Sequence, residues 1–204
     1  MKPFTTLTAI AAPLDMANID TDKVIPARLL RKFRSPGADY EPYLFRDMRF
    51  DAEGRERPEF ILNQAPYRKA GILVAGANFG CGSSREGAVY ALLDYGIRAV
   101  IAPSFGDIHY GNEIQNGMLP VMLPEEICSD LRNQLRAKPG SRLTIDLEAQ
   151  TVTDTHGAAH AFRIDPVYKE RLLKGLDEIG LVLQHLPEIA AFEERHYAAR
   201  PWIA

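Results

Sequence analysis

The chain of 204 residues contains only two cysteines, Cys81 and Cys128. A protein of this size needs no disulfide scaffold, and cytosolic thiols usually stay reduced. An iron–sulfur cluster usually takes four thiolates, so two cysteines cannot supply a cluster. Cluster chemistry would have to come from another chain. Cys81 lies between two glycines with no histidine nearby in sequence, which favours a small, partly buried residue over a nucleophile.

Long hydrophobic runs and an excess of basic residues are also missing. The apolar stretch GILVAGANFG, residues 71–80, is far shorter than the roughly 20 residues that a membrane helix needs. The formal net charge is −3, and no basic run stands out, which argues against nucleic-acid binding. The N-terminal segment makes a poor signal peptide. These features predict a cytoplasmic protein that binds neither nucleic acid nor membrane.

The familiar motifs for nucleotide, hydrolase and metal sites are absent. The stretch NFGCGSSREG, residues 78–87, lacks the lysine of a phosphate-binding loop and has no serine at the centre of a G-x-S-x-G elbow. His156 and His160 lie four residues apart, but the glycine after His156 and the flanking strand-like segments predict a hairpin turn. Nucleotide binding, serine hydrolysis and a histidine metal site are therefore disfavoured.

Short apolar runs alternate with helical patterns through the middle of the chain. This alternation is typical of a parallel α/β sheet. A strand is also predicted near the N-terminus, an antiparallel hairpin after residue 141, and helices in the C-terminal third. We therefore predict an α/β fold with a mainly parallel central sheet, an added β-hairpin and C-terminal helices. The predicted strands of the alternation are 71–76, 97–103 and 119–123, and its predicted helices are 83–96, 104–117 and 124–140.

The turn Gly80–Arg85 is expected where a strand ends and a helix begins. Open α/β sheets bind ligands at this position, and the N–H groups of a helix start favour an anion. Ser83 and Glu86 also have the spacing of a capping box, in which the serine caps the helix and the glutamate reaches back. Arg85 in the first turn opposes the helix dipole, and a bound carboxylate would compensate it. The spacing leaves both interpretations open.

Three signatures occur in order along the chain: NIDTDKVIP at 18–26, NFGCGSSRE at 78–86 and APSFGDIHYGNEIQNGMLPV at 102–121. Together with the segment LDEIGLVLQH, they resemble the family of 3-isopropylmalate dehydratase small subunits, which is similar to the swivelling domain of aconitase. The similarity runs from about Phe4 to about Tyr197. It implies one swivelling β/β/α domain over residues 1–204, with a substrate-specificity loop at about 31–59.

The resemblance also implies a function. Together with a large subunit that carries a [4Fe–4S] cluster, as a heterodimer or heterotetramer, such a chain isomerises 2-isopropylmalate to 3-isopropylmalate in leucine biosynthesis. The reaction removes and re-adds water on a small hydroxy dicarboxylic acid, and this chain itself is expected to bind no cofactor or metal. Two alternatives stay open. One is a paralogous dehydratase for a methyl- or dimethylmalate, and the other is a carboxylate-binding swivel module without turnover.

Roles for individual residues follow from the same resemblance. Ser83 matches the base that takes a carbon-bound proton, which requires a stabilised alkoxide. Arg85 matches the arginine that holds a substrate carboxylate, with Ser84 beside it. Asp22 belongs to an Asp-Thr-Asp turn placed near the cleft, although an Asx turn before Pro26 is an equal alternative.

The remaining candidates concern the side group of the substrate. Tyr43 and Leu44 align with the segment that lines its apolar pocket, and each could instead anchor the loop. Gly87 stands where the family usually carries histidine, which removes an imidazole from the expected edge of the cleft. The side group of the substrate is therefore left open by the sequence.

Overall fold

A computed structural model describes residues 1–30 and 39–203. The first eight positions of the predicted loop at 31–59 lie outside the described residues. The strands are β1 (Thr6–Leu14), β2 (Ile72–Ala75), β3 (Ala99–Ala102), β4 (Leu119–Met122), β5 (Arg142–Asp146), β6 (Thr151–Thr153) and β7 (Ala159–Ala161). The helices are α1 (Thr21–Val24), α2 (Arg46–Arg49), α3 (Glu86–Tyr95), α4 (Asp107–Gln115), α5 (Glu125–Ala137), α6 (Pro166–Lys174), α7 (Glu178–Leu183) and α8 (Leu186–Ala199).

The described strands form one mixed sheet in the order β4-β3-β2-β1-β5-β6-β7. Strands β1 to β4 pair in parallel, and the pairs β1–β5, β5–β6 and β6–β7 are antiparallel. The predicted α/β class is confirmed, with parallel pairing limited to one half of the sheet. The predicted hairpin is a three-stranded meander, because the chain turns back twice, from β5 to β6 and from β6 to β7. Strand β5 joins this meander to β1.

Two apolar cores lie on the two faces of the sheet. Helix α3 and the segment 39–67 cover one face, where Leu44 and Leu92 are fully buried. Helices α5 and α6 cover the other face together with Ile114 of α4. Coverage on both faces explains why β2 and β3 are continuous apolar runs rather than alternating ones.

The predicted helix boundaries are confirmed where proline and glycine mark them. Helix α5 begins directly after Pro124 with two glutamates in its first turn. Helix α3 ends at Gly96, which has a φ of 108° and donates its N–H to the carbonyl of Leu92. Outside the helices, Gly157 turns the chain between β6 and β7 with a φ of 88°, as predicted for a hairpin turn at this position.

The C-terminal helices α7 and α8 contain no buried residue. Several large apolar side chains on and after them are exposed, among them Ile179, Phe192 and Trp202. Within the described ranges, no helix has both the length and the apolar character needed to cross a membrane.

Candidate active site

A cleft of about 180 Å³ opens at the carboxyl ends of the parallel strands. The segment after β2 forms an isolated parallel β-bridge to each neighbouring segment: Cys81 pairs with Asp20 after β1, and Phe79 pairs with Phe105 after β3. It therefore runs between them. The predicted ligand position for an open α/β sheet is therefore where the cleft lies. Its lining residues are Thr21, Gly80, Gly82, Ser83, Ser84, Arg85, Gly106, Asp107, Ile108 and His109.

Two glycines shape the turn at the centre of the cleft. Gly80 and Gly82 have φ values of 70° and 91°, which favour glycine. A Cβ atom on Gly80 would lie 2.1 Å from Cδ2 of His109, so the ring occupies the space of a side chain. Gly106 also has no room for a side chain, because a Cβ atom there would lie 2.6 Å from the carbonyl oxygen of Gly80. The turn and the start of α4 are thus closely interlocked.

The capping-box interpretation of Ser83 is wrong. Helix α3 begins at Glu86, and the capping position is held by Arg85, whose backbone is extended and whose side chain makes no capping hydrogen bond. The two glycines with positive φ and the extended Arg85 lengthen the turn, so Ser83 lies two residues before the cap. Glu86 does not reach back to it; Oε1 of Glu86 accepts a hydrogen bond from Nδ2 of Asn116 at 3.0 Å.

The turn presents unpaired polar groups to the cleft. Ser83 and Ser84 are exposed, and their hydroxyls make no hydrogen bond within the described part of the chain. The backbone N–H groups of Gly82, Ser83 and Ser84 likewise have no acceptor among the described residues. The buried hydroxyl of Thr21 donates to the carbonyl of Ser83 at 2.7 Å and holds the turn from behind. Such a set of outward N–H and O–H donors suits an anion.

Arg85 forms an ion pair with Asp22 at the edge of the cleft. The hydrogen bond from the Arg85 guanidinium holds the pKa of Asp22 below its ordinary value. Oδ1 of Asp22 also accepts from the N–H of Ala27 at 3.1 Å, as the turn alternative requires, and Asp22 itself does not line the cleft. Arg85 is mostly buried, with 16% of its side chain exposed. The pair with Asp22 involves Nη1, which leaves other guanidinium N–H groups for a ligand.

The candidates for the apolar pocket lie away from this cleft. Leu44 is fully buried in the core beneath α3, which matches the loop-anchor alternative. Tyr43 is partly buried, with its ring 6.2 Å from that of Tyr40. Neither lines the cleft, so their contact with a substrate stays a prediction. Gly87 does not line the cleft either, and a Cβ there would lie 2.3 Å from Cδ2 of Leu30.

The start of α4 forms the part of the cleft that the sequence reasoning missed. Gly106, Asp107 and Ile108 line the cleft, which places the N-terminus of this nine-residue helix beside the turn. The rule that located Ser83 could have found them, because they follow the end of the neighbouring strand β3. His109 was not singled out, since nothing in its spacing indicates that its ring packs against Gly80.

Family profiles match most of the chain. A profile for the aconitase C-terminal domain matches residues 1–126, one described as LeuD_N matches 129–166, and one for the C-terminal domain of the 3-isopropylmalate dehydratase small subunit matches 178–204. A 3-isopropylmalate dehydratase small subunit from Gluconacetobacter diazotrophicus is 54% identical over 202 residues, covering 99% of this chain and 97% of that protein. The chain belongs to the family of 3-isopropylmalate dehydratase small subunits.

Further relatives agree with this family. A 3-isopropylmalate dehydratase small subunit from Roseobacter denitrificans is 49% identical, with both chains covered in full. A crystal structure of 3-isopropylmalate dehydratase from Methanocaldococcus jannaschii is similar with a TM-score of 0.64 and 25% identity, covering 92% of this chain and 99% of that one. The predicted resemblance is confirmed, and with it the aconitase-type fold of a hydro-lyase subunit in leucine biosynthesis.

The cysteines of this family member do not form a cluster site. Cys81 lies at the turn and is partly exposed, whereas Cys128 is buried on α5. Burial raises the pKa of the Cys128 thiol to about 11, which keeps it protonated. Within residues 1–30 and 39–203, no three histidine, cysteine or acidic side chains come together as a metal site. The described residues therefore do not fit an iron–sulfur cluster.

Proposed function

We propose that this chain is the small subunit of an enzyme that isomerises 2-isopropylmalate to 3-isopropylmalate by dehydration and rehydration. The relatives that carry this name match the chain from end to end. The observation that supports a direct part in the chemistry is the cleft, where the exposed Ser83 lies with Arg85 between the starts of α3 and α4. A binding module would need the anion site but not the serine.

The substrate of such an enzyme carries two carboxylates. We assign one of them to Arg85, whose guanidinium can hold a carboxylate through two parallel hydrogen bonds. The Asp22 carboxylate cannot donate a hydrogen bond to a carboxylate of the substrate. We therefore assign Asp22 the role of fixing Arg85 in place through their ion pair. The N–H groups of Gly82, Ser83 and Ser84 are available to the other acceptor oxygens of the substrate.

Ser83 is proposed as the base that takes the carbon-bound proton. A serine hydroxyl is a weak base unless its alkoxide is stabilised, and nearby N–H donors and a cation provide that stabilisation. Ser84 and Arg85 follow it directly in the same turn. As the C–H bond breaks, a carbon–carbon double bond forms and the hydroxyl leaves the neighbouring carbon as hydroxide. In the return step hydroxide adds to one carbon of the unsaturated intermediate, and the neutral Ser83 hydroxyl gives its proton to the other.

The partner is proposed to be a large subunit, as the name of the relatives implies. We place the [4Fe–4S] cluster on that large subunit, because the described residues of this chain do not fit one. Assembly as a heterodimer or heterotetramer and a cytoplasmic location stay predictions from the sequence. So does the division into a single domain with a specificity loop at about 31–59.

The test is an anaerobic assay of this chain with a cluster-loaded large subunit, following absorbance of the unsaturated diacid. We expect turnover with 2-isopropylmalate, and a Ser83→Ala variant should lose about 10²- to 10⁴-fold in kcat with little change in KM. Ser141→Ala, which removes a hydroxyl that bonds to the carbonyl of Lys138 and to no other described residue, is the matched control and should keep full turnover.

Other outcomes would reassign the function. Turnover with a methyl- or dimethylmalate alone would keep the chemistry and change the substrate. A complex that assembles but turns over none of these malates would favour the carboxylate-binding module. Indifference of kcat to Ser83→Ala would remove Ser83 from the role of base.

A further inference from the structure

The floor of the cleft contains a buried imidazole–carboxyl pair that the proposed reaction does not use. Nε2 of His109 lies 3.0 Å from Oε1 of Glu113, one turn further along α4. The two side chains are 1% and 0% exposed. Across residues 1–30 and 39–203, no other polar group lies within hydrogen-bond reach of either side chain, and the 3.0 Å contact itself is a charge contact without hydrogen-bond geometry. The two groups are therefore each other's nearest polar neighbour in an otherwise apolar place.

Packing alone does not account for this pair. Burial raises the pKa of Glu113, and the His109 imidazole beside it acts in the opposite direction. A buried pair of this kind gives little net stability compared with apolar side chains of the same volume, which would fill the space without a desolvation penalty. Stability therefore does not explain why this pair is present.

The position of His109 connects the pair to the turn that carries Ser83. Its ring fills the space where a side chain on Gly80 would lie, 2.1 Å from the Cβ that such a side chain would have. The ring also packs edge-on against Phe79, with 5.5 Å between ring centres. His109 lines the same cleft as Ser83 and Arg85. The imidazole thus lies between Glu113 and the backbone of the turn.

We propose that His109, held by Glu113, is a positioning residue that fixes the turn Gly80–Ser83 over the cleft. Glu113 sets the orientation of the ring, and the ring limits how far the turn can sink toward α4. The inference rests on the proposed function, because Ser83 and Arg85 are the groups whose placement the ring would serve. His109 itself takes no proton from the substrate in this scheme.

The first test replaces the polar contact by apolar side chains of similar shape, in a double variant with His109→Phe and Glu113→Met. We expect its melting temperature to equal or exceed that of the wild type. In the complex with the large subunit, kcat should fall by about 10- to 100-fold because a misplaced reacting group is slow, with KM changed less than about threefold. A double variant with wild-type kcat would overturn the inference.

The chain offers a matched control in a second imidazole–carboxylate pair. His160 on β7 lies 3.1 Å from Asp154, and neither residue lines the cleft. His160→Phe should lower stability and leave kcat unchanged. An equal loss of kcat in this variant would show that disturbing any such pair slows the enzyme, and would overturn a specific role for His109.

A second readout is independent of turnover. Cys81 directly follows Gly80, so its alkylation rate in the full-length chain reports the geometry of the turn. We expect the double variant to change this rate by at least about threefold and His160→Phe to leave it unchanged. Cys128 in the same sample reports global unfolding, because it is buried with a pKa of about 11.

The two readouts separate failure of the inference from failure of the proposed function. A wild-type complex that turns over no malate, together with a changed Cys81 rate in the double variant, removes the function and keeps the positioning role. Wild-type turnover with an unchanged Cys81 rate in the double variant overturns the inference and leaves the function intact.

Discussion

At the scale of single residues, the cleft depends on two glycines. Gly80 and Gly106 bring the turn and the start of α4 together, because a Cβ on either would overlap its neighbour. Gly80 also needs its positive φ of 70°. The backbone N–H groups of the cleft are therefore held in place by the contact of Gly80 with the His109 ring and of Gly106 with the backbone of Gly80, since α3 has no side-chain cap.

Gly80→Ala is predicted to be clearly destabilising. Strain from the positive φ costs about 1–3 kcal/mol, and overlap with the His109 ring adds about 1–3 kcal/mol. Gly96→Ala is the matched control, because Gly96 also has a positive φ but nothing lies within 4 Å of its Cβ position. Urea denaturation of both variants should show the larger loss for Gly80→Ala. Equal losses would mean that the ring gives way to the added methyl group.

At the scale of elements, the sequence predicted most of the fold. Strands β2 to β4 and helices α3 to α5 follow from apolar runs, periodicity and punctuation by Pro124 and Gly96. The capping alternative for Ser83 is wrong, and spacing could not exclude it because it cannot reveal that two glycines with positive φ delay the helix to Glu86. His109 was missed because its burial depends on a contact with Gly80, which lies 29 positions earlier and is visible only in three dimensions.

The turn between β6 and β7 is predicted to contribute stability that depends on pH. Burial alone would raise the pKa of Asp154, but hydrogen bonds from Gln134, His160 and the N–H groups of Ala158 and His156 outweigh burial and hold it well below the ordinary value of 3.8. A folded-state pKa below the unfolded one gives stability that is complete above about pH 5 and is lost as the pH falls.

Asp154→Asn measures this contribution. We expect the variant to lose about 1–3 kcal/mol of unfolding free energy at pH 7. The difference from the wild type should shrink when urea denaturation is repeated at pH 4 and then pH 3, because Asp154 of the unfolded wild-type chain takes up a proton in this range while the folded carboxylate stays ionised, which lowers the wild-type free energy of unfolding. A difference that stays constant over this range would show that the charge of Asp154 is not responsible.

At the scale of the whole molecule, the cleft belongs to the parallel half of the sheet. Its described lining residues lie between Thr21 and His109, whereas β5 to β7 extend the sheet from β1 on the other side. Helices α7 and α8 lie outside both cores. The molecule thus separates the candidate site, the β extension and the C-terminal helices.

Removing residues 178–204 is predicted to leave the sheet folded. Neither α7 nor α8 buries a residue, so their loss takes no described side chain from either core. The melting temperature followed by circular dichroism should change by only a few degrees. Leu172→Ala is the contrasting variant, since Leu172 is fully buried and its truncation costs about 2–5 kcal/mol. A truncated chain that melts as early as Leu172→Ala would contradict the prediction.

The exposure of Ser83 and Ser84 has a consequence for how activity depends on concentration. In the isolated chain these hydroxyls face bulk water, and an alkoxide at Ser83 would be protonated as fast as it formed. A partner that covers the cleft would exclude that water. Specific activity should therefore fall on dilution as the subunits dissociate, and an excess of either subunit should restore it by mass action.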